Sequence, residues 1–138
     1  MFGVLRELNG LSILAASVAN FMLGGVWYMA LFKKAYAAAL GRTDLGDQKP
    51  SPLFIAGPFV CGMVVNLTDA ILLRALHVTT LASALTFGAI VGLGYLVAMT
   101  VNIAINPNFP RPFFYGAISG SYFFLGNLVA CSILVAML

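Results

Sequence analysis

The chain's 138 residues leave room for one domain, 62% hydrophobic and only 8% charged, whereas soluble domains are about a quarter charged. A surface so apolar needs lipid rather than water. The net charge of +3 sits at the ends of apolar runs and forms no patch. That excludes a nucleic-acid interface and matches the way membrane proteins fix their orientation.

Met1 to Gly10 is short and mildly amphipathic, and its single Arg6 is a weak basic region for a signal peptide. An uncleaved first span is expected. Residues 11–32 would form it, covering about 33 Å against a hydrocarbon core of about 30 Å. Trp27 and Tyr28 near its end, followed by Lys33 and Lys34, read as interface anchors and a positive stop. Ala35 to Leu40 has high helix propensity, so the helix is expected to run past the bilayer to Leu40, with Gly41 closing it.

Asp44, Gly46, Asp47 and Pro50 mark a polar loop. A second span, residues 53–76, begins either near Gly57-Pro58 or at Pro52 with a kink at Pro58. Arg74 and His77 mark its far end. A tight turn follows, with Thr79 or Thr80 as the N-cap of a third span, residues 81–103. Asn106 to Pro112 contains three prolines, which makes it a short, stiff connection. A fourth span occupies 113–138. The expected fold is an all-α membrane protein, a bundle of four transmembrane helices in one domain with no soluble part.

The first and third connections carry Lys33, Lys34, Arg42, Lys49 and Arg111, and the other side carries Arg6 and Arg74. The positive-inside rule therefore places residues 33–51 and 106–112 in the cytoplasm and both termini outside. Two echoes suggest tandem hairpins: Pro52-Leu-Phe-Ile-Ala-Gly57 with Pro112-Phe-Phe-Tyr-Gly116, and Gly25-Val-Trp-Tyr-Met-Ala30 with Gly94-Tyr-Leu-Val-Ala98. Apolar composition alone also produces such echoes.

Small residues recur at every fourth position: Ala16, Asn20 and Gly24; Ala84, Gly88 and Gly92; Gly116 and Gly120. Such stripes bring helix backbones close in lipid, where hydrophobicity does not drive association. They serve either contacts inside the bundle or contacts between subunits. Each span also holds an asparagine: Asn20, Asn66, Asn102 and Asn127. Asn102 falls near a span end. The other three lie at similar depth and read either as mutually bonded glue or as the lining of a polar site, because a bare amide in hydrocarbon costs several kcal/mol. Asp69 is the one ionisable residue well inside a span. It shares a face with Asn66 and reads as an interfacial ion pair or hydrogen-bond anchor, with Arg74 or His77 near enough to pair, or as a proton- or cation-linked site. Cys61 and Cys131 read as small buried hydrophobes. Their depths differ by about 10 Å by helical rise, too far for a disulfide.

His77 is the only histidine and reads as a solvated turn residue. One histidine and one acid make no metal site, and no cofactor is implied. The aromatic runs Phe113 to Tyr115 and Tyr122 to Phe124 suit lipid or helix contacts better than a pigment or quinone. No serine has an accompanying base, and no phosphate or dinucleotide loop is present, so an enzyme is not expected.

Gly24-Gly-Val-Trp27-Tyr28, Leu31-Phe32, Lys34-Ala35-Tyr36 and Leu40-Gly41 resemble the opening signature of the family known as domain of unknown function 1761. Gly92-Leu-Gly94-Tyr95, Arg111-Pro112 and a tyrosine-containing last span agree with it. Lys33, Tyr36 and Met29-Ala30 depart from its usual glycine, tryptophan and Ser-Pro. The resemblance implies a four-span bacterial inner-membrane protein and carries no activity with it.

Two functions from different classes follow as expectations. The first is a non-catalytic membrane protein that self-associates, or joins a larger membrane complex, through the stripes at Gly24, Gly88, Gly92, Gly116 and Gly120. The alternative is a small transporter or channel using Asn20, Asn66, Asp69 and Asn127 as a polar path. Its partners would be the lipid bilayer and other membrane subunits, with no nucleic acid.

Overall fold

A computed structural model describes residues 3–43 and 51–138. The loop residues Asp44, Gly46, Asp47, Lys49 and Pro50 lie outside the described residues. Four helices are long and apolar enough to cross a membrane: span 1, Gly10–Leu31; span 2, Pro52–Ala75; span 3, Leu81–Ala104; and span 4, Pro112–Ala136. No strand occurs among the described residues.

Local chemistry sets the helix ends. Asn9 caps span 1, its Oδ1 accepting from the Leu11 and Ser12 amides. Its Nδ2 donates to the Met137 carbonyl at 2.8 Å, tying the start of span 1 to the end of span 4. Ser51 caps span 2, which takes the earlier of its two possible starts, so Pro58 falls inside the helix. Thr80 caps span 3, its Oγ1 accepting from the Ser83 amide at 3.2 Å. His77 closes the preceding turn at φ 53°.

Spans 1 and 3 are not uniform α-helices. Trp27–Leu31 and Gly92–Val97 are π-helical turns, wider turns that re-aim the side chains they carry. The expected unbroken helix to Leu40 is therefore corrected. After the π turn, Phe32 leaves helical geometry (φ −116°, ψ 17°) and a separate short helix, Lys33–Ala39, follows. That helix ends on Gly41 at φ 70°. The Gly41 and Arg42 amides bond the carbonyls of Ala38 and Ala37, an arrangement that needs a residue able to adopt the left-handed conformation.

Span 4 is the hub. It touches all three other spans and the short helix, whereas span 3 packs chiefly on span 4. A core of Ile13, Ala16, Ala70, Leu73, Ala84, Ala130, Cys131, Leu134 and Val135 joins all four spans. The hairpin echo has structural counterparts. Pro52 and Pro112 each open a helix, and the π turns fall on or beside the Gly25–Ala30 and Gly94–Ala98 segments.

Candidate functional site

A polar seam crosses the bundle from span 1 to span 3. On span 1, Ser17 is buried and donates to the Ile13 carbonyl. On span 2, Asn66 is fully buried; its Nδ2 donates to Ser17 Oγ at 3.1 Å and its Oδ1 accepts from Asn20 Nδ2 at 3.3 Å. One turn further, Asp69 is 1% exposed, and the Cys131 thiol of span 4 lies 3.9 Å from its Oδ2. Four residues before Cys131, Asn127 donates to the Gly88 carbonyl of span 3 at 3.0 Å.

The seam forms because these residues share helix faces. Asn66 and Asp69 are three apart, as are Ser17 and Asn20, while Asn127 and Cys131 are four apart. Gly88 lets the seam close. A Cβ there would lie 3.3 Å from Cys131 Sγ and 3.4 Å from the Asn127 carbonyl oxygen, so only glycine brings the span 3 backbone within reach of the Asn127 amide.

Of the three amides expected to bond one another, Asn20 and Asn66 do so, whereas Asn127 bonds backbone. Asn102 is exposed. The expected ion pair of Asp69 with Arg74 or His77 does not form. Arg74 Nη2 donates instead to the Glu7 carbonyl at 3.3 Å, and His77 is exposed in its turn. Asp69 is therefore buried within the bundle, six residues before the end of span 2. The cysteine expectation holds for Cys131 alone, since Cys61 is exposed; both are free. Ser17 and Cys131 went unnoticed as site residues. Their spacing from Asn20 and Asn127 was the available signal.

Two acceptors of the seam have no partner: Asn20 Oδ1 and Asn127 Oδ1 are buried without a hydrogen bond. Unmade hydrogen bonds of this kind cost about 1–3 kcal/mol each. They are also open valences for a bound proton donor or cation. No group of three or more metal-ligating side chains occurs among the described residues.

Beside the seam, at the π turn of span 1, a string of rings links three elements. Trp27 Nε1 donates to the Ile118 carbonyl of span 4 at 3.0 Å. Tyr28 lies 4.8 Å from Tyr36 and 5.2 Å from Tyr122, centroid to centroid, and Tyr36 lies 5.8 Å from Tyr115. The Tyr122 hydroxyl donates to the Asn20 carbonyl at 3.1 Å, coupling the string to the seam. Trp27 and Tyr28 are half-buried and both touch span 4. Lys33 and Lys34 are exposed. Burial and the neighbouring Tyr115 push the Tyr36 phenol, on the short helix beyond span 1, up to about 12.

The small-residue stripes are occupied within the chain. A Cβ on Gly24 would lie 3.0 Å from the Tyr122 hydroxyl; on Gly92, 3.2 Å from Phe124; on Gly116, 2.9 Å from Val101; and on Gly120, 3.2 Å from Val97. Each glycine is a point where one span presses on another.

This is a four-helix bundle, apolar outside, with a buried polar seam and an aromatic string beside it. Residues 11–135 match the model of the family described as protein of unknown function DUF1761. The chain belongs to that family. No curated protein and no solved structure matches it. Trp27, Tyr28 and Tyr36, with Gly24 packed against Tyr122, meet Tyr115 and Tyr122 in the aromatic string although they are far from them in sequence.

Proposed function

We propose that the protein is a non-catalytic carrier for a proton- or cation-linked solute, with Asp69 and the amides of Asn20, Asn66 and Asn127 as its intramembrane site. One observation carries this reading: Asp69, inside an apolar helix, is almost fully buried beside a thiol. A carboxyl so placed is costly, and such groups mark ion and proton pathways. The two open amide acceptors lie on either side of it, on spans 1 and 4. The distribution of Lys and Arg supports an orientation with both termini outside and the first and third connections cytoplasmic, in a bacterial inner membrane.

The test is dissipation of an imposed pH gradient in proteoliposomes. Wild-type protein should speed it and Asp69→Asn should not, with both proteins folded and equally reconstituted. Equal rates would remove Asp69 from the pathway.

A second reading is association with further copies or with a larger membrane complex. The glycine stripes no longer support it, since they are spent inside the chain. The outward faces of spans 1, 2 and 3 are the surfaces left for it, with 22%, 17% and 22% of their apolar windows buried. Native mass spectrometry after gentle extraction separates the two readings. A homo-oligomer or a stoichiometric foreign subunit supports association, and a monomer favours the self-contained carrier.

A further inference from the structure

Given Asp69 as the intramembrane site, the reading on which this inference rests, we propose that the ion it exchanges is a proton. The proton enters from the end of the bundle that holds Asn9 and Met137, through a small pocket closed by Leu73 and Leu134. Asp69 lies six residues, about 9 Å of helix, from Ala75, but seventeen residues, about 25 Å, from Pro52. On the near side a pocket opens between the start of span 1 and the ends of spans 2 and 4, lined by Asn9, Ser12, Ala70, Leu73, Arg74 and Leu134. Ala70, one position from Asp69, offers only a methyl to its wall. Leu73 follows Asp69 by four residues and Leu134 follows Cys131 by three. Each leucine therefore stands one turn above a member of the carboxyl–thiol pair, on the same helix face. Both leucines are almost fully buried and form the layer between the pocket and the carboxyl. On the far side of the seam lies the aromatic string.

Size and charge select the ion. The pocket has a volume of about 10 Å³, room for about one water. A water there finds partners. Ser12 Oγ donates to the Asn9 carbonyl at 2.7 Å and keeps lone pairs to accept with. Arg74 spends one N–H on the Glu7 carbonyl at 3.3 Å and keeps others to donate. A metal cation would have to shed its hydration shell and pass the Arg74 charge. A proton needs neither a shell nor that space. Hydronium in the pocket gives its proton to the Asp69 carboxylate, leaving water and a neutral carboxyl, and the reverse step returns it. Leu73 and Leu134 must swing aside for this contact. Spans 1, 3 and 4 contain no Asp, Glu, Lys, Arg or His, so the titratable group they bring to Asp69 is the Cys131 thiol. The other charged or titratable side chains at this end are Arg74 and the exposed Arg6, Glu7 and His77.

The experiment is infrared spectroscopy of the full chain in proteoliposomes moved from light to heavy water. The protonated Asp69 carboxyl gives a C=O band, assigned by its loss in Asp69→Asn, and the shift of that band times the exchange. Exchange of a buried group follows the opening of its surroundings. At mildly acidic pH the band should be present, and sodium chloride added at constant pH should leave it in place. Leu73→Ala removes half of the gate, and Arg74→Gln releases the Val4–Glu7 turn from the rim. Each should exchange severalfold faster than wild type, whereas Tyr122→Phe, in the aromatic string, should exchange at the wild-type rate. Leu73→Ala cuts into the core, so Arg74→Gln keeps the test decisive if that variant fails to fold. A band absent at every pH, or lost to sodium, overturns the proton. An unchanged rate in folded Leu73→Ala or in Arg74→Gln overturns the entrance, as does acceleration by Tyr122→Phe. Equal dissipation of a pH gradient by wild type and Asp69→Asn would instead remove the carrier reading, without moving any of these exchange rates.

Discussion

Spans 2 and 4 begin alike and end in opposite environments. Both open with proline in the first turn, run 24 and 25 residues, and share a mean hydropathy of 1.7. Yet 17% of the apolar window of span 2 is buried, against 50% for span 4. Glycines account for part of the difference. Gly116, Gly120 and Gly126 of span 4 each leave a gap that a neighbour fills to within 3.3 Å of a hypothetical Cβ. In span 2, Gly62 has nothing within 4 Å and Gly57 only the tip of Leu53 at 4.0 Å. Hydropathy decides that a helix enters lipid. Small residues placed against partners decide that it becomes the hub.

Span 2 is buried only along the strip Asn66, Asp69, Ala70 and Leu73, so it gives the interior two polar residues and two of the apolar core. Leu53, Phe54, Val60 and Val64 face outward. In lipid an exposed apolar face carries no penalty. A polar face does, and this is why Asn66 and Asp69 are among the residues turned inward.

The sharpest way to break the comparison is to give both helices the same insult. Gly116→Leu drives a side chain into Val101 and should cost about 3 kcal/mol, at the upper end for overpacking. Gly62→Leu meets open space and should stay within about 0.5 kcal/mol. Equilibrium unfolding in mixed micelles reads both, and equal losses would mean that span 4 is not the hub.

Next in size is the strip itself. Asn66→Leu removes the bonds to Ser17 and Asn20 and should cost about 1–2 kcal/mol, the range for buried interhelical hydrogen bonds. Thr68→Val removes a bond only to span 2's own Val64 carbonyl and should leave the unfolding midpoint nearly unmoved. A larger loss for the threonine would reverse the assignment of the buried face.

A smaller effect tests the junction of spans 1 and 4. Gly24→Ala places a methyl 3.0 Å from the Tyr122 hydroxyl and should destabilise by about 1 kcal/mol. Tyr122→Phe removes that oxygen together with its bond to Asn20, costing about 0.6 kcal/mol. Combined, the two should cost less than their sum, because the phenylalanine makes room for the methyl. Strict additivity in a double-mutant cycle would place the contact elsewhere.

As small as Tyr122→Phe should be Trp27→Phe, which gives up the bond to the Ile118 carbonyl and keeps an aromatic ring, for about 0.6 kcal/mol. A residue serving only as a lipid-interface anchor would show no unfolding change and an altered depth in tryptophan quenching.

Much of the fold was legible in the residues. Apolar runs bounded by charge and proline mark the four helices, and Thr80 and Gly41 mark ends by capping chemistry that acts within a few residues. The seam was half legible. Asn20, Asn66, Asp69 and Asn127 announce themselves by being polar in apolar runs. Their partners do not, because Ser17, Cys131 and the Gly88 carbonyl look ordinary until another span lies against them. The π turns were not legible at all. A single extra residue in a turn depends on what the rotated side chains gain, here the seat of Trp27 on Ile118.

Sequence by itself determined that this chain makes helices for lipid and where most of them start and stop, since hydropathy and capping are local properties. Only the tertiary structure decided that span 4 lies at the centre, that Asp69 meets a thiol and not Arg74, and that Trp27 and Tyr28 touch span 4. Such choices rest on contacts between residues far apart in the chain, 102 positions for Asn20 and Tyr122 and 128 for Asn9 and Met137. The driving terms are van der Waals fit and hydrogen bonds in a medium where apolar surface is indifferent to its neighbour.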